Sequence, residues 1–253
     1  MEMLNFIIPG LLVTFNLLSC VNPVRDQPNI LWITTEDISP HLGCYGDPFA
    51  YTPTLDKMAG EGLLFRNAYA SASVCTPARS SIITGMYASS LGTQHLRGQV
   101  PLSSEVKCFT QYLRESGYYC ANFNKTDYNF PVPAEAWDHN GRIKYDALVA
   151  DHLAGLDRNK PFFCVFNFSL THQSRTRYSP EKLSEINAHL PAGARHDPDR
   201  APVPPYYPNT PAVRANIAAL HTQITLLDSQ VEVILNQLEE NGLASNTIVF
   251  FYS

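Results

Sequence analysis

Hydrophobic positions along this chain fall into short blocks that alternate between two kinds. Asn29-Ile30-Leu31-Trp32-Ile33-Thr34-Thr35 is an apolar run that ends in polar residues, the pattern of a buried parallel strand. Thr52-Pro53 then opens a helix, with Thr at the N-cap, Pro at the first helical position, and Leu55, Met58 and Ala59 as an apolar stripe that stops at Gly62. Leu63–Tyr69 reads as a strand. Ser80–Thr84 reads as helix up to Gly85, and a helix capped by Ser104 carries Val106, Phe109 and Leu113 to Gly117. Tyr118–Phe123 is β-prone, and Phe162–Leu170 (FFCVFNFSL) is the strongest buried-strand signal.

The span Ser174–Thr210 carries seven prolines and reads as a long loop, of the kind that tends to serve function. Pro211 starts the longest helix. There Val213, Ile217, Leu220, Ile224, Leu227, Val231, Ile234 and Leu238 alternate steps of four and three along one face, and Gly242 ends it. Thr247–Ser253 is again strand-like. Strand and helix alternate, so the expected fold class is α/β: a mainly parallel or mixed central sheet flanked by helices. Ligands of such sheets sit beyond the carboxyl ends of the strands. That singles out Glu36-Asp37 after the first strand, Thr171-His172 after the Phe162 strand, and whatever follows Ser253. A chain ending in a parallel strand is expected to be the front part of a longer protein.

Composition narrows the classes. Of 253 residues, 45% are hydrophobic and 16% charged, enough apolar material for a core and unlike a disordered chain. A net charge of −5 lacks the basic excess of a nucleic-acid binder, so no nucleic-acid partner is expected. Phe6–Leu18 has the length and composition of a secretory apolar region, although Met1–Asn5 carries no Lys or Arg. Leu17-Leu18-Ser19-Cys20 resembles the lipobox of bacterial lipoproteins, with Cys20 as the lipidated residue. The expectation is an exported protein, periplasmic or anchored to the outer membrane as a lipoprotein, with residues 1–20 as the signal. Cys44, Cys75, Cys108, Cys120 and Cys164 would then lie in an oxidising space, and their odd number leaves at least one unpaired or modified.

The densest chemistry lies in Cys75-Thr76-Pro77-Ala78-Arg79-Ser80-Ser81-Ile82-Ile83-Thr84-Gly85. A cysteine at the mouth of a helix with an arginine four residues on favours negative charge. On those residues alone, an activated thiol, an anion site and a buried structural cysteine all stand. Cys-x-Pro-x-Arg followed by Thr-Gly resembles the sulfatase signature, in which the Cys becomes formylglycine. Further blocks agree in order: Pro28–Asp37, Gly43-Cys44-Tyr45-Gly46, Thr52-Pro53-Thr54-Leu55-Asp56 and Ala59-Gly60-Glu61-Gly62. The resemblance spans residues 27–253, read as the N-terminal portion of a catalytic domain, and is nearest to heparan N-sulfatase-like bacterial members.

That resemblance implies hydrolysis of sulfate esters or sulfamates on sulfated glycans, with a formylglycine-generating maturase as a processing partner. Cys75 would become 3-oxoalanine, whose hydrate attacks sulfur; Arg79 would hold that hydrate. Glu36 and Asp37 occupy the place of paired carboxylate ligands to one divalent cation, Ca2+, which Cys75 would also face; the usual pair is Asp-Asp, so Glu36 is a departure. Ala78 replaces a common Ser. Lys125 matches a sulfate-binding lysine, but Asp127 stands where a His usually follows it. His172 matches a histidine that contacts sulfate or protonates the leaving group, and His95 lies in a segment bordering the substrate pocket. The remaining metal ligands of the family follow a strand like Val249–Ser253, so a chain of these 253 residues alone is expected to be inactive. Two alternatives from other classes stand beside this: a phosphoryl-transfer enzyme of the alkaline phosphatase superfamily, which would bring two zinc ions, and a non-catalytic, lipid-anchored glycan-binding fragment.

Overall fold

The structure is a computed structural model that describes residues 27–142, 153, 155–175 and 178–253. The expected signal at 1–20 and the lipidation at Cys20 lie outside the described residues. Five strands among them form one sheet: β1 (Asn29–Thr34), β2 (Tyr119–Phe123), β3 (His139–Gly141), β4 (Phe162–Asn167) and β5 (Thr247–Tyr252). Their spatial order is β3-β2-β4-β1-β5, and all four pairings are parallel. The helices are α1 (Pro53–Glu61), α2 (Cys75–Thr84), α3 (Ala88–Leu91), α4 (Phe109–Glu115), α5 (Pro180–Ala188) and α6 (Pro211–Glu240). The sheet is thus the α/β arrangement that the strand–helix alternation implies.

Every residue of β4 is buried, because the strand is central and helices cover both of its faces. The two-residue period of the strands divides the apolar interior into two cores. On one face Leu31, Ile33, Phe162, Cys164 and Phe166 meet Leu55 of α1 and Ile224, Leu227, Val231, Ile234 and Leu238 of α6. On the other, Phe163 and Val165 pack with Cys120, Phe130, Ile83 and Trp137, and Trp32 and Phe109 close the cluster. Asp228 of α6 accepts from the main-chain N–H of Thr54 (3.1 Å) and Leu55 (2.8 Å), satisfying the opening turn of α1 from a neighbouring helix.

Four local expectations change. Leu63–Tyr69 forms no strand: no neighbouring strand pairs with it, and Leu63, Phe65 and Tyr69 are all exposed. The helix expected from Ser104 begins at Phe109, because Cys108 is its N-cap and the Cys108 N–H donates to Gln111 Oε1 at 2.9 Å. The helix expected over Ser80–Thr84 starts a turn and a half earlier, at Cys75. The Ser174–Thr210 loop contains α5: Pro180 sits in the first turn, Ser179 accepts from the Lys182 N–H, and the proline begins a helix rather than breaking one. Among the described residues all five cysteines are free, and no helix is long and apolar enough to cross a membrane.

Candidate functional site

Three parallel strands deliver their carboxyl ends to one edge of the sheet. β1 runs into Thr35-Glu36-Asp37, β2 into Asn124-Lys125, and β4 through Asn167 into Thr171-His172. α2 points its first turn at the same place, so Cys75 stands where the unpaired N–H groups and positive dipole end of a ten-residue helix favour an anion. Glu36, Cys75 and His172 bring one ligand-type atom each to within 4.8 Å of one another.

Hydrogen bonds fix each side chain. The Thr35 and Thr171 hydroxyls lie 2.6 Å apart, and the Thr171 hydroxyl also donates to the Glu36 carbonyl, tying the end of β1 to the loop after β4. Asp37, exposed and at φ 57°, turns one carboxylate oxygen to the Gln173 N–H at 2.9 Å. It therefore stands outside the Glu36–Cys75–His172 group, bracing the His172 turn.

Lys125 donates to Glu36 Oε1, and its ammonium lies 3.4 Å from Asp127 Oδ2. Burial works against the Lys125 charge, but the facing Glu36, with Cys75 and Asp127 behind it, outweighs that and leaves the lysine pKa above its ordinary value. Asn124 and Asp127, on either side of Lys125, both hold left-handed backbone (φ 77° and 50°), which costs energy for a non-glycine residue and collects at functional sites. Glu36 Oε2 is buried without a hydrogen-bond partner and lies 4.0 Å from His172 Nε2.

His172 can be assigned a tautomer. Its Nδ1 lies 3.3 Å from the Ser174 main-chain N–H, which can only donate, so Nδ1 accepts and the proton of the neutral ring sits on Nε2, facing the cluster. A ring in that state is a proton donor toward the site rather than a metal ligand.

Arg79, one turn into α2, donates from Nε to the Thr126 carbonyl (2.8 Å) and from Nη2 to the Lys125 carbonyl (2.6 Å) and to Asn167 Oδ1. Sequence reasoning passed over Asn167. It is buried at the end of β4, accepts also from the Thr34 hydroxyl (2.8 Å), and donates to Asn122 Oδ1 (3.0 Å) and the Phe123 carbonyl (2.8 Å). A lone amide ending an otherwise apolar strand was the available signal. Asp127 Oδ1 lies 4.0 Å from Arg97 Nε, a second residue not singled out, itself at φ 55°. His95 is exposed and does not join the cluster; its carbonyl is held by Asn129, whose side chain also binds the Thr93 carbonyl (2.6 Å) and the Gly98 N–H (2.7 Å).

The sulfatase family model matches residues 28–253. An ulvan-active sulfatase of Formosa agariphila is 36% identical over 90% of this chain and 43% of its own length. Human N-sulphoglucosamine sulphohydrolase is 28% identical over 90% of this chain and 51% of its own length. The chain thus spans about half the length of the curated relatives it matches. A solved structure from work on glycosaminoglycan metabolism by Bacteroides thetaiotaomicron superposes with a TM-score of 0.72 over 89% of this chain and 60% of the other, at 19% identity. A structure bound to D-glucosamine-2-N,6-O-disulfate as its substrate superposes with a TM-score of 0.64 over 89% of this chain and 65% of the other, at 17% identity. These two superpositions speak to the fold.

Proposed function

The chain belongs to the sulfatase family, and from that premise we propose that the intact protein hydrolyses sulfate esters or sulfamates of sulfated glycans, with residue 75 as the nucleophile after its oxidation to formylglycine. The observation that carries this reading is the convergence of Glu36, Cys75, Lys125 and His172 at one sheet edge, with a buried Glu36 oxygen that lacks a hydrogen-bond partner. An orphaned carboxylate oxygen beside the nucleophile position fits a cation, and oxygen donors suit calcium. Glu36 would hold it; Asp37, whose Oδ2 is engaged by the Gln173 N–H outside the cluster, would join only by turning its other oxygen inward. When present, the cation draws charge from the sulfate oxygens and the formylglycine hydrate supplies a hydroxyl nucleophile.

The chain's own residues do the rest. The helix end at Cys75 and the Lys125 ammonium attract the tetrahedral anion. Arg79, held by three acceptors, carries a fixed positive charge behind the nucleophile. His172 directs its Nε2–H as a hydrogen-bond donor toward the sulfate or the departing alcohol or amine; as an imidazolium it would give that proton to the leaving group and return to the neutral ring. Asp127 lies within reach of both Lys125 and Arg97 and orients those cations, or a substrate hydroxyl. The ulvan and N-sulphoglucosamine relatives make anionic glycans the substrate class to test, and formylglycine at residue 75 would call for a maturase as the processing partner. Export, with Cys20 as a lipid anchor, belongs to the same reading.

The test uses the full-length protein produced with a formylglycine-generating maturase. Intact-mass analysis is expected to show residue 75 as aldehyde, with sulfate released from ulvan or N-sulfated glycan and no release by Cys75→Ala. Sulfate release with residue 75 still a thiol, or undiminished release by Cys75→Ala, refutes the mechanism.

A further inference from the structure

A second cluster lies between the β1–α1 loop and the long helix, built from residues that the sulfate-site reading does not use. His41 and Asp47 come from the loop and His221 from α6. We propose that His41 Nδ1, His221 Nε2 and Asp47 Oδ2 form a binding site for a transition-metal dication of the zinc class, separate from the site at Cys75.

The three ligand-type atoms lie within 4.8 Å of one another. Asp47 Oδ2 is 2.9 Å from His41 Nδ1 and 3.0 Å from His221 Nε2. Neighbouring ligands of a tetrahedral zinc ion with metal–ligand distances near 2.1 Å stand about 3.4 Å apart, so the two Asp47 contacts would each open by roughly half an ångström to admit the ion between three protein ligands. The donor set, two imidazoles and one carboxylate, suits zinc and its neighbours better than calcium, which prefers oxygen alone.

Hydrogen bonding around His221 gives the strongest argument. Its Nδ1 lies 2.9 Å from the Ile217 carbonyl, which can only accept, so Nδ1 carries a proton. Nε2 then faces a carboxylate oxygen, also an acceptor, with its lone pair. Two lone pairs at 3.0 Å repel unless a positive charge lies between them. That charge is a metal ion or a second ring proton, which would make a buried imidazolium of a side chain that is 1% exposed. The outer contacts match those that orient metal ligands: the His221 ring donates to a backbone carbonyl, and Asp47 Oδ1 accepts from the Phe49 N–H at 2.8 Å. The Phe49 ring packs edge-on against His221, while His41 is 38% exposed and leaves an entry path and an open coordination position. An ion here would pin the segment after Glu36-Asp37 onto the helix that backs the sheet.

The experiment uses untagged full-length protein, stripped with chelator and held in saturating calcium. Zinc titration followed by elemental analysis is expected to show one more zinc bound by the unsubstituted protein than by His41→Ala, or its affinity weakened at least about ten-fold by that change. Cobalt substitution is expected to give visible ligand-field bands without the near-ultraviolet sulfur-to-metal band that Cys75 would add; this readout needs no variant. Equal zinc binding by folded wild-type and His41→Ala proteins, or no such cobalt spectrum, overturns the proposal and leaves the cluster as an imidazolium–carboxylate clasp.

Discussion

Asn167→Ala separates what the amide does for folding from what it does for Arg79. Among the described residues the side chain makes four hydrogen bonds in a buried setting: Arg79 and Thr34 donate to its Oδ1, and its Nδ2 donates to Asn122 Oδ1 and the Phe123 carbonyl. Truncation removes a donor from each of the two acceptors, while the Thr34 hydroxyl can rotate. At about 1–3 kcal/mol for each buried acceptor that loses this donor, the loss of stability is about 2–6 kcal/mol. Arg79 keeps its bonds to the Lys125 and Thr126 carbonyls, so its guanidinium loosens without leaving, and kcat/KM for sulfate release is expected to fall about 10–100-fold. Asn167→Asp is the control. It keeps an acceptor for Arg79 and Thr34 but sets a carboxylate oxygen against two other acceptors, so it loses stability while retaining more activity. Urea unfolding and initial rates of sulfate release on the mature full-length variants give both numbers. If the alanine and aspartate variants lose activity in parallel with their stability, Asn167 does not position Arg79 and the reasoning is wrong.

Two further outcomes follow from burial. Desolvation pushes the Cys108 thiol up to about 11 and Cys120 to about 12, and also raises Cys164, so mapping by mass spectrometry after alkylation at mildly alkaline pH should find all three unlabelled in native protein and labelled after denaturation; native labelling of Cys164 would contradict its place in the central strand. Ile224, fully buried where α6 meets the sheet, should cost about 2–5 kcal/mol as Ile224→Ala in chemical denaturation, and a loss below 1 kcal/mol would show that the α6 face does not form the core described.

The central strand was legible because it is buried on both faces, so the continuous run Phe162–Asn167 stands out whatever its partners. The long helix was legible because thirty residues give many turns over which a period can repeat. Short elements failed for a matching reason. β3 has three residues with no apolar run, and α5 is a surface helix with no buried residues, announced only by Ser179-Pro180. Leu63–Tyr69 shows the reverse error: apolar residues there face solvent, and composition cannot say whether a partner strand exists. Within the site, the residues at strand ends were visible, whereas Asn167 and Arg97 acquire meaning only once segments far apart in the chain meet.

Glu36 is where this chain departs from the Asp-Asp pair that its family resemblance implies, and the structure gives the longer arm a purpose. Its Oε1 meets the Lys125 ammonium while Oε2 lies 4.0 Å from His172 Nε2, so on the proposed reading a single carboxylate would touch both the lysine and the cation. Glu36→Asp keeps the charge but withdraws it by about one C–C bond, roughly 1.5 Å. It thereby trades a charge-assisted hydrogen bond, a contribution of about 1.5–3 kcal/mol, for a gap that water fills. Calcium titration calorimetry of the mature full-length protein should show affinity at least about ten-fold weaker, and kcat/KM should fall with it, whereas far-UV circular dichroism stays unchanged. If the aspartate variant instead binds calcium as tightly and turns over as fast as the parent, the carboxylate at position 36 does not contact the ion. Glu36 would then be the partner that holds Lys125, and the cation would rest on Asp37 and on groups supplied by other segments.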